Sequence, residues 1–255
     1  MFAFRGLWPL HIPLCVAVCL PWAAPSLRAQ PAPAEMAVIA HALKDMSQAA
    51  RAAIAHSQAL IDDPAVGEKG ITGQNVLARA IVEYRAATGR DPLAGDPSSR
   101  LSRLLRFQME AIVEASDSRQ AVIGAMGTHV RTFVQAVFTR LVNDAFARRA
   151  GAEAAIRMTA PRELIRNRKS LPDALESRVI KDAFLTAGWP RGQAYEVVAS
   201  EGGRERFRVL VPEYYTESCL TCHGSPKGSL DLTGYPREGA KTGDLGGVLS
   251  ITVTR

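Results

Sequence analysis

The stretch Arg206-Phe207-Arg208-Val209-Leu210-Val211-Pro212-Glu213-Tyr214-Tyr215-Thr216-Glu217-Ser218-Cys219-Leu220-Thr221-Cys222-His223 carries two signals end to end. Its first part alternates, with Phe207, Val209 and Val211 on one face, the period of a half-buried strand. Its second part places two thiols three positions apart, with an imidazole directly after the second. One helical turn presents both sulfurs to the two vinyl groups of a single haem and sets the adjacent His beneath the iron. A strand that feeds such a turn puts the candidate cofactor segment in a sheet domain.

Other uses of the motif account for less of it. A structural zinc site takes four ligands, and Cys219 and Cys222 are the only cysteines beyond the leader. A thioredoxin-like pair belongs at a helix start inside a βαβ pattern. A plain disulfide leaves the His unexplained.

Residues 1–29 read as an export signal. Arg5 supplies the positive charge, an apolar stretch runs from Ile12 to Ala24, and small residues lie near Ala29. Leu27 stands where a small residue is preferred, so a retained anchor is the alternative. Cys15 and Cys19 leave with the signal. Export and haem support each other, because covalent attachment takes place outside the cytoplasm. The expected location is periplasmic, and no later apolar stretch is long enough to span a bilayer. The chain's formal charge of +6, less Arg5 and Arg28, gives +4. So mild a balance, with basic residues dense only over Arg162 to Lys169, argues against nucleic acid as a partner.

Residues 30–34 form a Pro/Ala linker, 35–150 a helical region, and 151–255 the haem domain. Ile39, Leu43, Met46, Ala50 and Ala53 recur at three and four, and Pro64 stops that helix. Thr72 caps a second helix through Tyr84, and Ser98 or Ser99 a third containing Leu101, Leu104, Leu105 and Ile112. A fourth is expected from about Ser118 to Arg149. After Gly151 the texture becomes strand-rich: Ile156 to Pro161, Tyr195 to Ser200, Arg206 to Val211 and Val248 to Val253. A helix over Pro172 to Ala187 lies among them. The expected fold class is α+β: a helical N-terminal half followed by an antiparallel sheet domain.

The motif's position excludes the common small cytochrome c design, in which a Met far downstream is the sixth ligand. Residues 224–255 contain no Met and no His. The Gly/Pro-rich tail and the strands also fit poorly with a four-helix cytochrome c′.

With these residues in view, the chain resembles the Tll-type haem domain family: exported single-haem proteins whose C-terminal domain is PAS-like. The matching stretches are Thr159-Ala160-Pro161, Arg166-Asn167, Pro172-Asp173 with Glu176, and Pro212-Glu213-Tyr214-Tyr215. Cys219 to Gly224, Gly234-Tyr235, Gly243-Asp244 and Gly246-Gly247 follow. Leu175 stands where the family often has Trp, and Arg168-Lys169 where Pro often follows Arg-Asn. Some members use Cys as the second iron ligand, which the chain beyond the leader cannot supply. The resemblance implies one covalent haem c and a role in sensing or electron transfer. Arg166 and Asn167, which match the family, are the favoured contacts for the propionates.

For the far side of the iron, the chain offers His129, flanked at helical spacing by Val122, Met126 and Phe133. His41 reads as solvated and His56 as bordering an apolar stripe. Met126 and Met158 read as packing residues. An open or water-bound position is the alternative to His129 as a metal ligand alongside His223. The expected function is a haem-based redox or ligand sensor. With no output domain expected after Val253, it would act through a redox or signalling protein partner, with a small gaseous ligand among the stimuli. One-electron transfer is the alternative reading, and weak peroxidase-like chemistry with His129 as distal acid–base group is the second. The N-terminal helices are the expected surface for a homo-oligomer or partner.

Overall fold

The computed structural model describes residues 34–63, 65–66, 69–119 and 135–255. Among the described residues, four helices precede the sheet: α1 Ala34–Asp62, α2 Gly73–Thr88, α3 Arg100–Asp117 and α4 Gln135–Ala150. Local chemistry sets their ends. The Thr72 hydroxyl accepts from the Asn75 amide at 3.2 Å, and Gly89 closes α2 in the left-handed region at φ 67°. Ser99, of the two candidate serines, caps α3 through the Ser102 amide at 3.1 Å. The sequence places a fourth helix from about Ser118, but Ser118 and Arg119 form a turn. The next described helix begins at Gln135.

Four strands form one antiparallel sheet in the order β1-β4-β3-β2: β1 Ala154–Thr159, β2 Tyr195–Glu201, β3 Arg204–Tyr214 and β4 Leu245–Thr254. The expected α+β class, helices first and antiparallel sheet second, is the one observed. β3 and β4 are the inner strands, and each runs past the expected limits.

Helices and sheet share one core. Ile39, Leu43, Met46, Leu104, Ile112, Phe138 and Phe146 pack with Ile156, Phe207, Val209, Val211, Leu249, Ile251 and Val253 from a single sheet face. Full burial of each large apolar side chain is worth about 1.5–3 kcal/mol. Between α1 and α3, the buried Gln108 side chain donates to the Leu43 carbonyl at 3.1 Å and the Ser47 hydroxyl at 2.8 Å. Arg51 of α1 reaches Glu213 of β3 at 2.8 Å.

The opposite face is also covered. The expected helix over Pro172 to Ala187 is shorter: α5 spans Ala174–Val179 and runs into a π-helical turn, Ile180–Phe184. A capping box starts α5, with Asp173 accepting from the Glu176 amide and Glu176 from the Asp173 amide. Leu175, Val179, Ile180 and Phe184 pack on Val197, Leu210 and Val248. Arg208 lies beneath them, 3 % exposed. It bonds the fully buried Glu176 at 3.0 Å and Asp173 at 2.8 Å. Among the described residues, no helix is long and apolar enough to cross a membrane.

Candidate functional site

The Cys-x-x-Cys-His turn sits on an excursion, residues 215–244, that leaves β3 and returns as its neighbour β4. The neck is closed by backbone bonds: Tyr215 N–H donates to Asp244 at 2.9 Å and Gly243 N–H to Tyr215 at 2.8 Å. A 3-10 turn, Glu217–Cys219, leads into α6, Leu220–His223. Gly224 ends α6 by donating to the Leu220 carbonyl at 2.8 Å. A Cβ there would stand 2.6 Å from that oxygen, so the chain can leave the turn at this angle only with glycine.

Cys219 and Cys222 are half-buried and neither forms a disulfide. The Thr216 amide donates to Cys219 Sγ at 3.4 Å. Burial, then the nearby Asp231 carboxylate, pushes the Cys222 thiol up, so it is held protonated. Three large apolar side chains of the same excursion stay exposed: Leu230, Leu232 and Tyr235.

The imidazole of His223 is held from several sides. Its Nδ1 lies 2.9 Å from Glu238 Oε2, and its carbonyl accepts from the Ala240 amide at 2.8 Å. The Tyr215 ring stacks on it, and the phenol oxygen lies 3.3 Å from Nδ1. Burial, then the Glu238 charge, pushes the Tyr215 phenol up to about 12, so it stays neutral.

Arg166 sits behind this pair. Its Nε donates to Glu238 Oε1 at 2.8 Å and its Nη2 to Glu238 Oε2 at 3.0 Å. Nη1 donates to Asp231 Oδ2 at 2.6 Å, and Nη2 also to the Cys222 carbonyl at 3.0 Å. Asp231 Oδ1 accepts from the Thr233 amide and hydroxyl and from the Tyr235 amide. Burial alone would raise the Asp231 pKa, but the Thr233 and Arg166 hydrogen bonds outweigh it and hold the carboxyl far below the usual range. Glu238 is likewise lowered: burial opposes, while Arg166 and His223 prevail.

The structure thus brings Cys219, Cys222, His223 and Arg166 together. Asn167 is close in sequence, but its side chain caps the 3-10 turn Arg168–Ser170, accepting from the Lys169 amide at 3.1 Å. His129 and Met126 lie outside the described residues. His41 pairs with Glu196 at 3.2 Å and His56 with Glu83 at 3.1 Å, both at the surface. Met158 packs against the main core. Tyr214 lies under the Arg191 guanidinium, 4.1 Å from the ring centroid. Glu238 and Asp231 did not figure in the sequence reading. No spacing rule links Glu238 to His223, fifteen positions away, whereas Asp231-Leu232-Thr233-Gly234 carries the signature of an Asx-type turn.

Among the described residues, no group of three or more His, Cys, Asp or Glu side chains converges as a cage for a metal ion. Fold and site together define an α+β protein with a Cys-x-x-Cys-His turn slung between its two inner strands. The chain belongs to the Tll0287-like family, whose sequence profile matches residues 29–254. Comparison with curated proteins and with solved structures returned no match.

Proposed function

We propose that the chain is an exported, periplasmic carrier of one c-type haem that senses redox state or a small ligand and reports to a partner protein. The observation that carries the reading is the geometry of the turn. Both thiols are unpaired on one turn, and Nδ1 of His223 is engaged by Glu238, which leaves Nε2 for iron. The exposed Leu230, Leu232 and Tyr235 of the same excursion offer apolar surface for a porphyrin, Leu232 through its backbone adjoining Cys222.

The residues present suit the group. Cys219 and Cys222 would each add S–H across a vinyl double bond, sulfur to one carbon and hydrogen to the other. His223 would be the proximal ligand. When bound, the haem supplies a one-electron couple and a site for diatomic ligands. The protein supplies the rest: it holds the imidazole, keeps Tyr215 neutral against it, and fixes the turn through Gly224 and Ala240. Arg166 faces Glu238 and Asp231 in this scheme, so we assign it to holding the proximal side. The PAS-like character of the sheet domain belongs to the same reading.

Sensing is favoured over carriage by one connection. Glu213, two residues before Tyr215, is paired with Arg51 of α1, whose core is shared with β3 and β4. A shift of the haem-bearing excursion therefore bears on the helical half directly. One-electron transfer is the second reading.

The deciding test is the visible spectrum of periplasmically matured protein, ferric and ferrous, with and without carbon monoxide. A covalent haem that binds carbon monoxide readily fits a sensor with an open or labile position. A low-spin haem unmoved by carbon monoxide points to the carrier. Protein that matures without covalent haem refutes both.

A further inference from the structure

Glu238 does more than balance Arg166. A carboxylate only accepts hydrogen bonds, so a His nitrogen 2.9 Å from it carries the proton. That fixes the His223 tautomer: hydrogen on Nδ1, lone pair on Nε2. Glu238 in turn is fixed, because both of its oxygens accept from one guanidinium, at 2.8 and 3.0 Å. The guanidinium is pinned by Asp231 and by the Cys222 carbonyl, within the motif itself. The Glu238 side chain is 15 % exposed and that of Asp231 is fully buried, so solvent screens this chain of contacts poorly. Two carboxylates face one guanidinium, which leaves one net negative charge behind the imidazole.

We propose that Glu238 is a positioning residue for the iron's proximal ligand, holding His223 as a strong donor and so biasing the iron toward its ferric state. The proposal rests on the haem reading above. A carboxylate acceptor on Nδ1–H raises the basicity of the other nitrogen, and a more basic ligand stabilises the higher oxidation state. Arg166 is the brace that stops Glu238 turning to solvent, and Asp231 stops Arg166 from cancelling the Glu238 charge. The plain alternative is that Glu238 merely staples the loop to Arg166.

The test is redox titration of the matured holoprotein. Glu238→Gln keeps the shape and removes the charge. It is expected to retain covalent haem and to raise the ferrous:ferric ratio at a fixed poise about tenfold, which is about 59 mV for one electron. Asp244→Asn is the control. Its carboxylate acts on Tyr215 through space but makes no contact with His223. A shift of twofold or less in that control supports the proposal. An unchanged ratio in Glu238→Gln, or equal shifts in both variants, overturns it, since the effect would then be absent or mere net charge. Should Glu238→Gln not fold, the wild-type holoprotein still decides. Its proton NMR spectrum is expected to show a slowly exchanging proximal Nδ1 proton, and a ring nitrogen without one overturns the proposal. Wild-type protein lacking covalent haem would sink the haem reading itself, before any variant is made.

Discussion

Tyr215 lies flat against His223, ring centroids 4.7 Å apart and planes inclined by 27°. The space for the phenol ring comes from across the sheet. Where β3 and β4 lose register between Glu213 and Tyr214, Gly246 is passed over in the pairing, and a Cβ on it would stand 2.6 Å from the Tyr215 ring. Gly246→Ala is expected to displace Tyr215 and to cost about 1–3 kcal/mol, as overpacking does. Urea unfolding measures the cost, and the haem spectrum should change with it. A variant equal to wild type in both would mean that the stack is incidental.

Cys219→Ala combined with Cys222→Ala is expected to yield folded protein with no covalent haem. The check is denaturing electrophoresis with haem staining, beside circular dichroism for the fold. Covalent haem retained by the double variant would contradict the assignment of the thiols.

Arg208 and Glu176 form a buried ion pair, the first 3 % and the second 0 % exposed. Loss of one partner leaves the other only part of its pairing, Arg208 on Asp173 at 2.8 Å and Glu176 on Arg157 at 3.4 Å, so Glu176→Gln or Arg208→Met alone should cost about 1–3 kcal/mol, less than for a pair with no other contacts. The double variant should cost clearly less than the two single costs added together. Strict additivity in urea denaturation would show that the two charges do not depend on each other.

Acid should loosen the excursion. The Asp231 carboxyl is held well below the usual aspartate value, so the unfolded chain takes up its proton first as pH falls. Its stabilising contribution is complete above the unfolded value of about 3.9. It drains away below that value, as pH drops toward the folded pKa. Urea midpoints at descending pH should show less acid loss in Asp231→Asn than in wild type, and the opposite ordering would refute the assignment.

Much of this architecture was legible in the residues. The alternation of Phe207, Val209 and Val211 marked the inner face of β3, and Thr72, the Ser98–Ser99 pair and Pro172-Asp173 marked helix starts. Capping is local chemistry, so local sequence reveals it. The opposite sheet face was hidden, because alternation alone reads Arg208 as facing solvent. Only the docking of α5, which brings Glu176 over the sheet, makes it a buried cation. The π-helical turn at Ile180–Phe184 breaks no apolar rhythm, so the sequence reads as one continuous helix. At the site, Cys219, Cys222 and His223 declare themselves by spacing. Glu238 reaches His223 only through closure of a loop, and Arg166 is drawn in from residues before α5. Contacts of that kind arise from how distant segments meet, which no local pattern encodes.

The sheet order has a temporal side. β4 lies between β1 and β3 but follows the Cys219–His223 turn in the chain. As the polypeptide emerges, from a ribosome or across a membrane, the two thiols come out while the middle of the sheet still lacks its strand. A group joined to those thiols at that stage would meet an unclosed sheet. The arrival of β4 then draws the neck shut at Tyr215 and Asp244 and latches the turn onto the finished sheet.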